Sequence, residues 1–188
     1  MGTERILVHS SVLSAFTEQL QATMNLVFSN PASAPNPISA QGRDKVLTLI
    51  DDALGKGATT LCKVELDVPK TRLLPVVLGN ITKEMGIFYQ ESFGPVATIH
   101  PFDTEEEAIA LVNDNEYGLA GSIFTENLQA GLRLAKKYTT GAVHINSMTI
   151  HDESNLPHGG TKNSGYGKFN AEEGLNEFLR TKSITWEN

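Results

Sequence analysis

The chain's 188 residues, 40% hydrophobic and 20% charged, suit one ordinary domain or most of one with a buried core, and exclude a disordered tail or a disulfide scaffold. A balance of 15 Lys and Arg against 22 Asp and Glu, net -7 and without a basic window, argues against nucleic acid as a partner. Short apolar stretches broken by charge predict no membrane span or anchor, Glu4 and Arg5 stand where a signal peptide would place its apolar region, and a single cysteine, Cys62, fits a reducing, cytoplasmic setting.

Arg5 to His9 reads as a strand, followed by a helix from Ser11 to Met24 with Val12, Phe16, Leu20 and Met24 four apart on its predicted inner face. Three prolines between Ser29 and Pro37 forbid helix or central strand, so a surface connection comes next. Helical spacing resumes from Ala40 to Leu54 through Val46, Leu47, Ile50 and Leu54, and Gly55-Lys56-Gly57 supplies its stop. Thr59 to Asp67 alternates as a strand does. Val96 to Ile99 is a further strand, and Asp103-Thr104-Glu105-Glu106 reads as a capping box that opens a helix running to about Asn113. A short strand at Ser122 to Phe124, a helix from Leu128 to Tyr138 with Leu132 and Ala135 inward, and a strand from Gly141 to Ile145 continue the rhythm. Alternation of this kind predicts an α/β fold with a largely parallel sheet flanked by helices. A polar loop, a glycine-rich turn, a helix from Ala171 to Leu179 and a β-like segment from Ser183 to Trp186 close the chain.

The glycines between His158 and Phe169 satisfy neither phosphate-loop pattern. Gly167-Lys168 is followed by Phe169 where a Walker loop needs Ser or Thr, and Gly165-x-Gly167 meets Asn170 where a dinucleotide fingerprint needs its third glycine. A tight loop packed against its neighbours is the plainer reading. Cys62 sits in a strand pattern with no nearby base and reads as a structural thiol. His144, His151, Asp152, Glu153 and His158 match no ligand spacing and read as polar loop residues, so no metal is expected. Glu91 and Phe93, in Tyr89-Gln-Glu-Ser-Phe-Gly-Pro-Val96, place a carboxylate and an aromatic on a turn at a strand start, where binding groups are often displayed.

Four signatures then occur in order: Glu91-Ser-Phe-Gly-Pro-Val96, Asn113-Asp-Asn-Glu-Tyr-Gly-Leu-Ala-Gly-Ser-Ile-Phe124, Gly141-x-x-x-Ile-Asn146 and Pro157-x-Gly-Gly-x-Lys-x-Ser-Gly165. Together they resemble the aldehyde dehydrogenase superfamily, and Thr3-Glu-Arg-Ile-Leu-Val8 resembles the strand that follows that family's catalytic cysteine. The resemblance covers essentially the whole chain. It implies that residues 1–180 are most of the catalytic domain and that 181–188 form the C-terminal strand that joins a neighbouring subunit, hence a homo-oligomer in the full-length setting. It sets the nucleophilic cysteine directly before Met1 and the glutamate base and cofactor domain further upstream, so no catalytic residue falls within this chain.

The family reaction is attack of the thiolate on an aldehyde, hydride transfer to NAD or NADP, and hydrolysis of the resulting thioester. By position, Glu91 matches the carboxylate that holds the nicotinamide ribose, Phe93 the aromatic beside the nicotinamide, and Ser147 to His158 the loop lining the aldehyde tunnel, with Ser147, Ile150, His151 and His158 as substrate-facing candidates. His158 departs from the Phe common between Pro157 and Gly159. The run from Asn146 to Glu153 together with Ser164-Gly-Tyr-Gly-Lys-Phe169 is most similar to the salicylaldehyde and vanillin dehydrogenases, which implies aromatic aldehydes as substrates. Residues 1–188 alone are then expected to be inactive, and the alternative is a non-catalytic homologue that acts as an oligomerisation module.

Overall fold

The computed structural model describes residues 2–187. Met1, the reference point for the expected nucleophile, and Asn188 lie outside the described residues. The chain divides into two compact units, one through Ala110 and one from Leu111.

The first unit is a four-stranded sheet between two helices. Strands β1 (Arg5–His9), β2 (Thr59–Lys63), β3 (Val76–Gly79) and β4 (Val96–Phe102) take the order β1-β4-β3-β2. β4 pairs parallel with both neighbours, and β2 closes the edge antiparallel to β3. Central β4 buries Val96, Thr98, Ile99 and His100, so both of its faces are covered. Successive side chains of β3 diverge with the pleat: Val77 packs with Val8, Met24 and Ile99, whereas Leu78 packs with Val46, Ala53, Met85 and Val96. One helix therefore covers each face, α1 (Leu13–Val27) through Met24 and α2 (Ala40–Gly55) through Val46 and Ala53.

The inner stripe of α1 differs from the expected one. Leu13, Leu20, Met24 and Phe28 pack on the sheet, while Val12 and Phe16 are exposed. A strict four-residue step drifts by about 40° per step around a helix of 3.6 residues per turn, so Val12 and Met24 cannot share a face. Likewise α2 buries Val46, Leu49 and Ala53 and leaves Leu54 exposed. Its stop is as expected: Gly57, at φ 98, donates its N–H to Leu54 O and Ala58 donates to Ala53 O, a Schellman closure. β2 ends at Lys63, short of Asp67, and bulges between Thr60 and Cys62. Cys62 is buried and its Sγ lies 3.5 Å from Thr17 O.

Helix α3 (Glu105–Asn113) contains the boundary between the units. Its capping box is displaced by one residue from the predicted one. Thr104 Oγ1 accepts the Glu107 N–H at 3.2 Å, and Glu107 Oε2 accepts the Asp103 and Thr104 N–H groups at 2.9 and 3.3 Å.

In the second unit β6 (Ala120–Ile123) pairs parallel with β7 (Ala142–Ile145), joined through α4 (Leu128–Lys137), and the two-residue strands β5 (Tyr117–Gly118) and β8 (Thr161–Lys162) pair antiparallel. α4 turns Gly131 inward, toward Ile145 and Thr125, and leaves Leu132, expected inside, exposed. Asn127 caps it by accepting the Ala130 N–H at 3.1 Å, and Lys136 and Lys137 sit in the last turn, favourable to its negative end. α5 (Ala171–Asn176) is shorter than expected. Ser183 to Trp186 forms no ladder with any described residue, and Ile184 and Trp186 are exposed. No helix among the described residues is long and apolar enough to cross a membrane.

Candidate active site

In the first unit the turn from Glu91 to Pro95 leads into β4. Ser92 is 2% exposed while Phe93, next to it, is 82% exposed and adopts φ 55. A bulky residue in the left-handed region persists only where its surroundings over-determine it. Here the Glu4 carboxylate does so: its Oε1 accepts the Ser92 N–H at 2.9 Å, the Ser92 hydroxyl at 2.8 Å and the Phe93 N–H at 2.9 Å, and Oε2 accepts the Ser92 N–H at 3.1 Å. The Ser92 hydroxyl oxygen accepts the Gly94 N–H at 3.1 Å, and Pro95 O accepts the Val76 N–H at 3.0 Å. From α2, Lys45 donates its Nζ to Glu91 O and stands 5.9 Å from the Phe93 ring centroid.

The Glu91 side chain is half-buried, and its carboxylate accepts no hydrogen bond from the described residues. Burial, then the Glu4 charge, push its pKa above the ordinary carboxylate value, against the pull of Lys45. It is thus an acceptor group left over after the fold has satisfied its turn.

In the second unit the loop after β7 carries the other candidates. Ser147 and Ile150 are exposed and His151 is half-buried. His151 Nε2 lies 2.6 Å from Glu153 Oε1, and His158 Nδ1 lies 4.0 Å from Asp152 Oδ1. His158 is held at a bridge with Phe169, each donating its N–H to the other's carbonyl at 2.9 Å, with ring centroids 5.0 Å apart. The His144 ring on β7 is 4.9 Å from that of His151, and its buried Nε2 has no partner among the described residues. Burial, then His151 and His158, lower the His144 pKa. Residues read from the sequence as separate loop polars are gathered in one place, although no group among the described residues is arranged to hold a metal ion.

The remaining signatures knit this unit together. Lys162 Nζ donates to Asn113 O and Asn115 O at 3.0 and 2.7 Å, the Gly118 N–H donates to Ser164 Oγ at 3.0 Å, and Asn163 N–H donates to Glu116 O at 2.9 Å. Asn146, at φ 55, accepts the Thr125 N–H at 2.8 Å and donates to Thr125 O at 2.9 Å. The glycine-rich stretch is close-packed at Gly159 and Gly160, where an added Cβ would lie 2.5 Å from Gly167 O and from Ser164 O, and open at Gly165 and Tyr166. Glu4 and Lys45 had no signal in the sequence, since each acts on the turn from 46 or more residues away.

The chain belongs to the aldehyde dehydrogenase family, whose model matches residues 1–184. Vanillin dehydrogenase of Pseudomonas sp. (strain HR199 / DSM 7063) is 35% identical over 193 residues, which take in 100% of this chain and 40% of that protein. The crystal structure of a salicylaldehyde dehydrogenase from Pseudomonas putida G7, complexed with salicylaldehyde, matches with a TM-score of 0.89 at 28% identity, covering 98% of this chain and 39% of that one. Succinic semialdehyde dehydrogenase from Streptococcus pyogenes, in complex with NADP+, matches with a TM-score of 0.84 at 33% identity over 98% of this chain and 42% of that one. The chain therefore spans about 40% of the length of the vanillin dehydrogenase it matches.

Proposed function

We propose that this chain supplies the cofactor-positioning turn and the aldehyde-lining loop of a cytoplasmic, NAD- or NADP-dependent dehydrogenase that oxidises aromatic aldehydes to carboxylic acids. The observation that carries the reading is the Glu91 carboxylate, half-buried and without a hydrogen-bond partner among the described residues, on the same turn as the exposed Phe93 ring. That pair fits a nicotinamide nucleoside. A carboxylate without a partner among the described residues can accept two ribose hydroxyls, and the exposed ring two residues on offers a flat apolar face. The nicotinamide, when bound, accepts the hydride. Glu91 and Phe93 fix the distance at which it does so, and orientation of this kind is worth far more to the rate than to binding. Ser147, Ile150, His151 and His158 line the aldehyde; the aromatic preference rests on likeness to the vanillin and salicylaldehyde enzymes. Residues 181–188 serve as an oligomerisation strand, a role that suits the exposed Ile184 and Trp186. The chain by itself is inactive, because Cys62 is 1% exposed with its pKa raised by burial and cannot present a thiolate.

The test uses the completed protein, residues 1–188 joined to an upstream family segment ending in a cysteine directly before Met1. Glu91→Gln is expected to slow single-turnover hydride transfer by roughly tenfold or more while the cofactor Kd stays within about threefold, since the far end of the dinucleotide binds elsewhere. The parent rate should climb with pH as the raised Glu91 carboxyl ionises, and the variant should lose that limb. Because the fold disfavours this charge, the same substitution should leave the chain as stable or more stable at pH 7. An unchanged transfer rate would remove the role given to Glu91.

A further inference from the structure

We propose that Glu4 is a positioning residue for the cofactor turn, acting through Ser92 and Phe93, and that it ties this turn to the strand that begins just after the nucleophile position. The proposal rests on the reading of Glu91 and Phe93 given above.

Glu4 is 88 residues from Ser92 in sequence, yet its carboxylate receives four contacts from the turn, three of them on Oε1. Successive N–H groups of Ser92 and Phe93 converge as they do in backbone anion sites, and a side-chain carboxylate fills the concavity where a ligand anion would otherwise sit. The filling is what lets Phe93 hold φ 55 with its ring outward. Glu4 itself cannot drift, because its carbonyl accepts both the N–H of Thr98 at 2.8 Å and the Thr98 hydroxyl at 3.1 Å, at the head of the β1–β4 ladder. By sequence Glu4 stands four residues after the position that would carry the nucleophile, so the stretch that leads into β1 also holds the turn that presents Glu91. Lys45 steadies the turn from α2 through a single carbonyl; the register of Ser92 and Phe93 comes from Glu4.

Three substitutions in the completed protein separate position from charge. Glu4→Gln keeps an oxygen where Oε1 accepts three of the four bonds, Glu4→Asp keeps the charge but withdraws it by one methylene, and Glu4→Ala removes both. Expected are a kcat within about threefold of the parent for Gln, and a loss of roughly tenfold or more for Asp and Ala, with the cofactor KM within about threefold throughout. Amide hydrogen exchange at Phe93 should quicken in Asp and Ala and not in Gln. If Glu4→Ala does not fold, the contrast between Gln and Asp decides. Parent-like kcat in Asp and Ala, alongside a slowed Glu91→Gln, would overturn the role of Glu4 and leave the cofactor reading standing. Near-parent Asp with a slow Gln would overturn it too, since charge and not position would then matter. An unchanged Glu91→Gln would take both readings down together.

Discussion

Gly141→Ala is expected to unfold the second unit or cost it about 3 kcal/mol or more, the upper end of overpacking penalties. A Cβ at Gly141 would lie 1.9 Å from Gly159 O and 2.8 Å from Leu119 O. Both obstacles are main-chain carbonyls, so no rotamer change relieves the clash. The Leu119 carbonyl is in use, accepting the N–H of Ala142 at 3.1 Å at the start of the β6–β7 ladder. Gly159 belongs to the packed loop that carries His158, so any shift that makes room also displaces a candidate substrate-lining residue. The control is Gly55→Ala, at the end of α2, where nothing lies within 4 Å of the added carbon and the change should be neutral or mildly stabilising. Urea denaturation of the two variants, with hydrogen exchange at Ala142 to Ile145, checks this; a Gly141→Ala loss below about 0.5 kcal/mol would show that the close approach is not built into the fold.

The second large effect is a pH dependence of stability from His100. The ring is 5% exposed on β4, its Nε2 is 3.1 Å from Thr98 Oγ1, and its edge meets Phe88 with centroids 5.7 Å apart. Burial, then the nearby Arg5 guanidinium, lower its pKa from 6.5 to about 4. The folded chain thus holds this histidine neutral while the unfolded chain protonates it below about 6.5. Stability is fully present above that value and falls as the pH drops through the window to about 4, where the loss levels off. At about 1.4 kcal/mol per pH unit, the full window is worth about 3 kcal/mol. Denaturation midpoints between pH 7.5 and 5, above the range of ordinary carboxylates, should slope downward for the parent and be flatter for His100→Phe. Equal slopes would mean that His100 titrates alike in both states.

Much of the fold is legible in the sequence, because many of its elements carry a local signal. The β1 and β4 runs, the Schellman stop at Gly57 and the Asn127-to-Lys137 helix are each decided by neighbours within a turn or two. β3 is not, since four residues directly after Pro75 give no period to measure and its strand character comes from pairing with β2 and β4. The stripe of α1 departs from the expected one at Val12 and Phe16, because a helix turns every 3.6 residues and a four-residue step drifts off its face. At the site, the carboxylate–ring–glycine–proline run announces a turn, but a left-handed Phe93 argues against its own residue type and is sustained by Glu4 from the far side of the sequence. Gathering of His144, His151 and His158 is likewise invisible to spacing rules, because a strand end and two loop segments bring them together.

Two proposals remain to be tested together: that Glu91 and Phe93 position a nicotinamide cofactor, and that the loop from Ser147 to His158 contacts an aromatic aldehyde. The most direct measurement is reduced-cofactor formation by the completed protein, with benzaldehyde-type and short aliphatic aldehydes compared by kcat/KM and residues 1–188 alone run in parallel. Expected are turnover by the completed protein, a preference of roughly tenfold or more for the aromatic substrates that His158→Phe alters without abolishing turnover, and no turnover by the chain alone with or without Cys62→Ser. Aldehyde oxidation by residues 1–188 alone, or a completed protein that oxidised only the aliphatic aldehydes, would contradict these expectations.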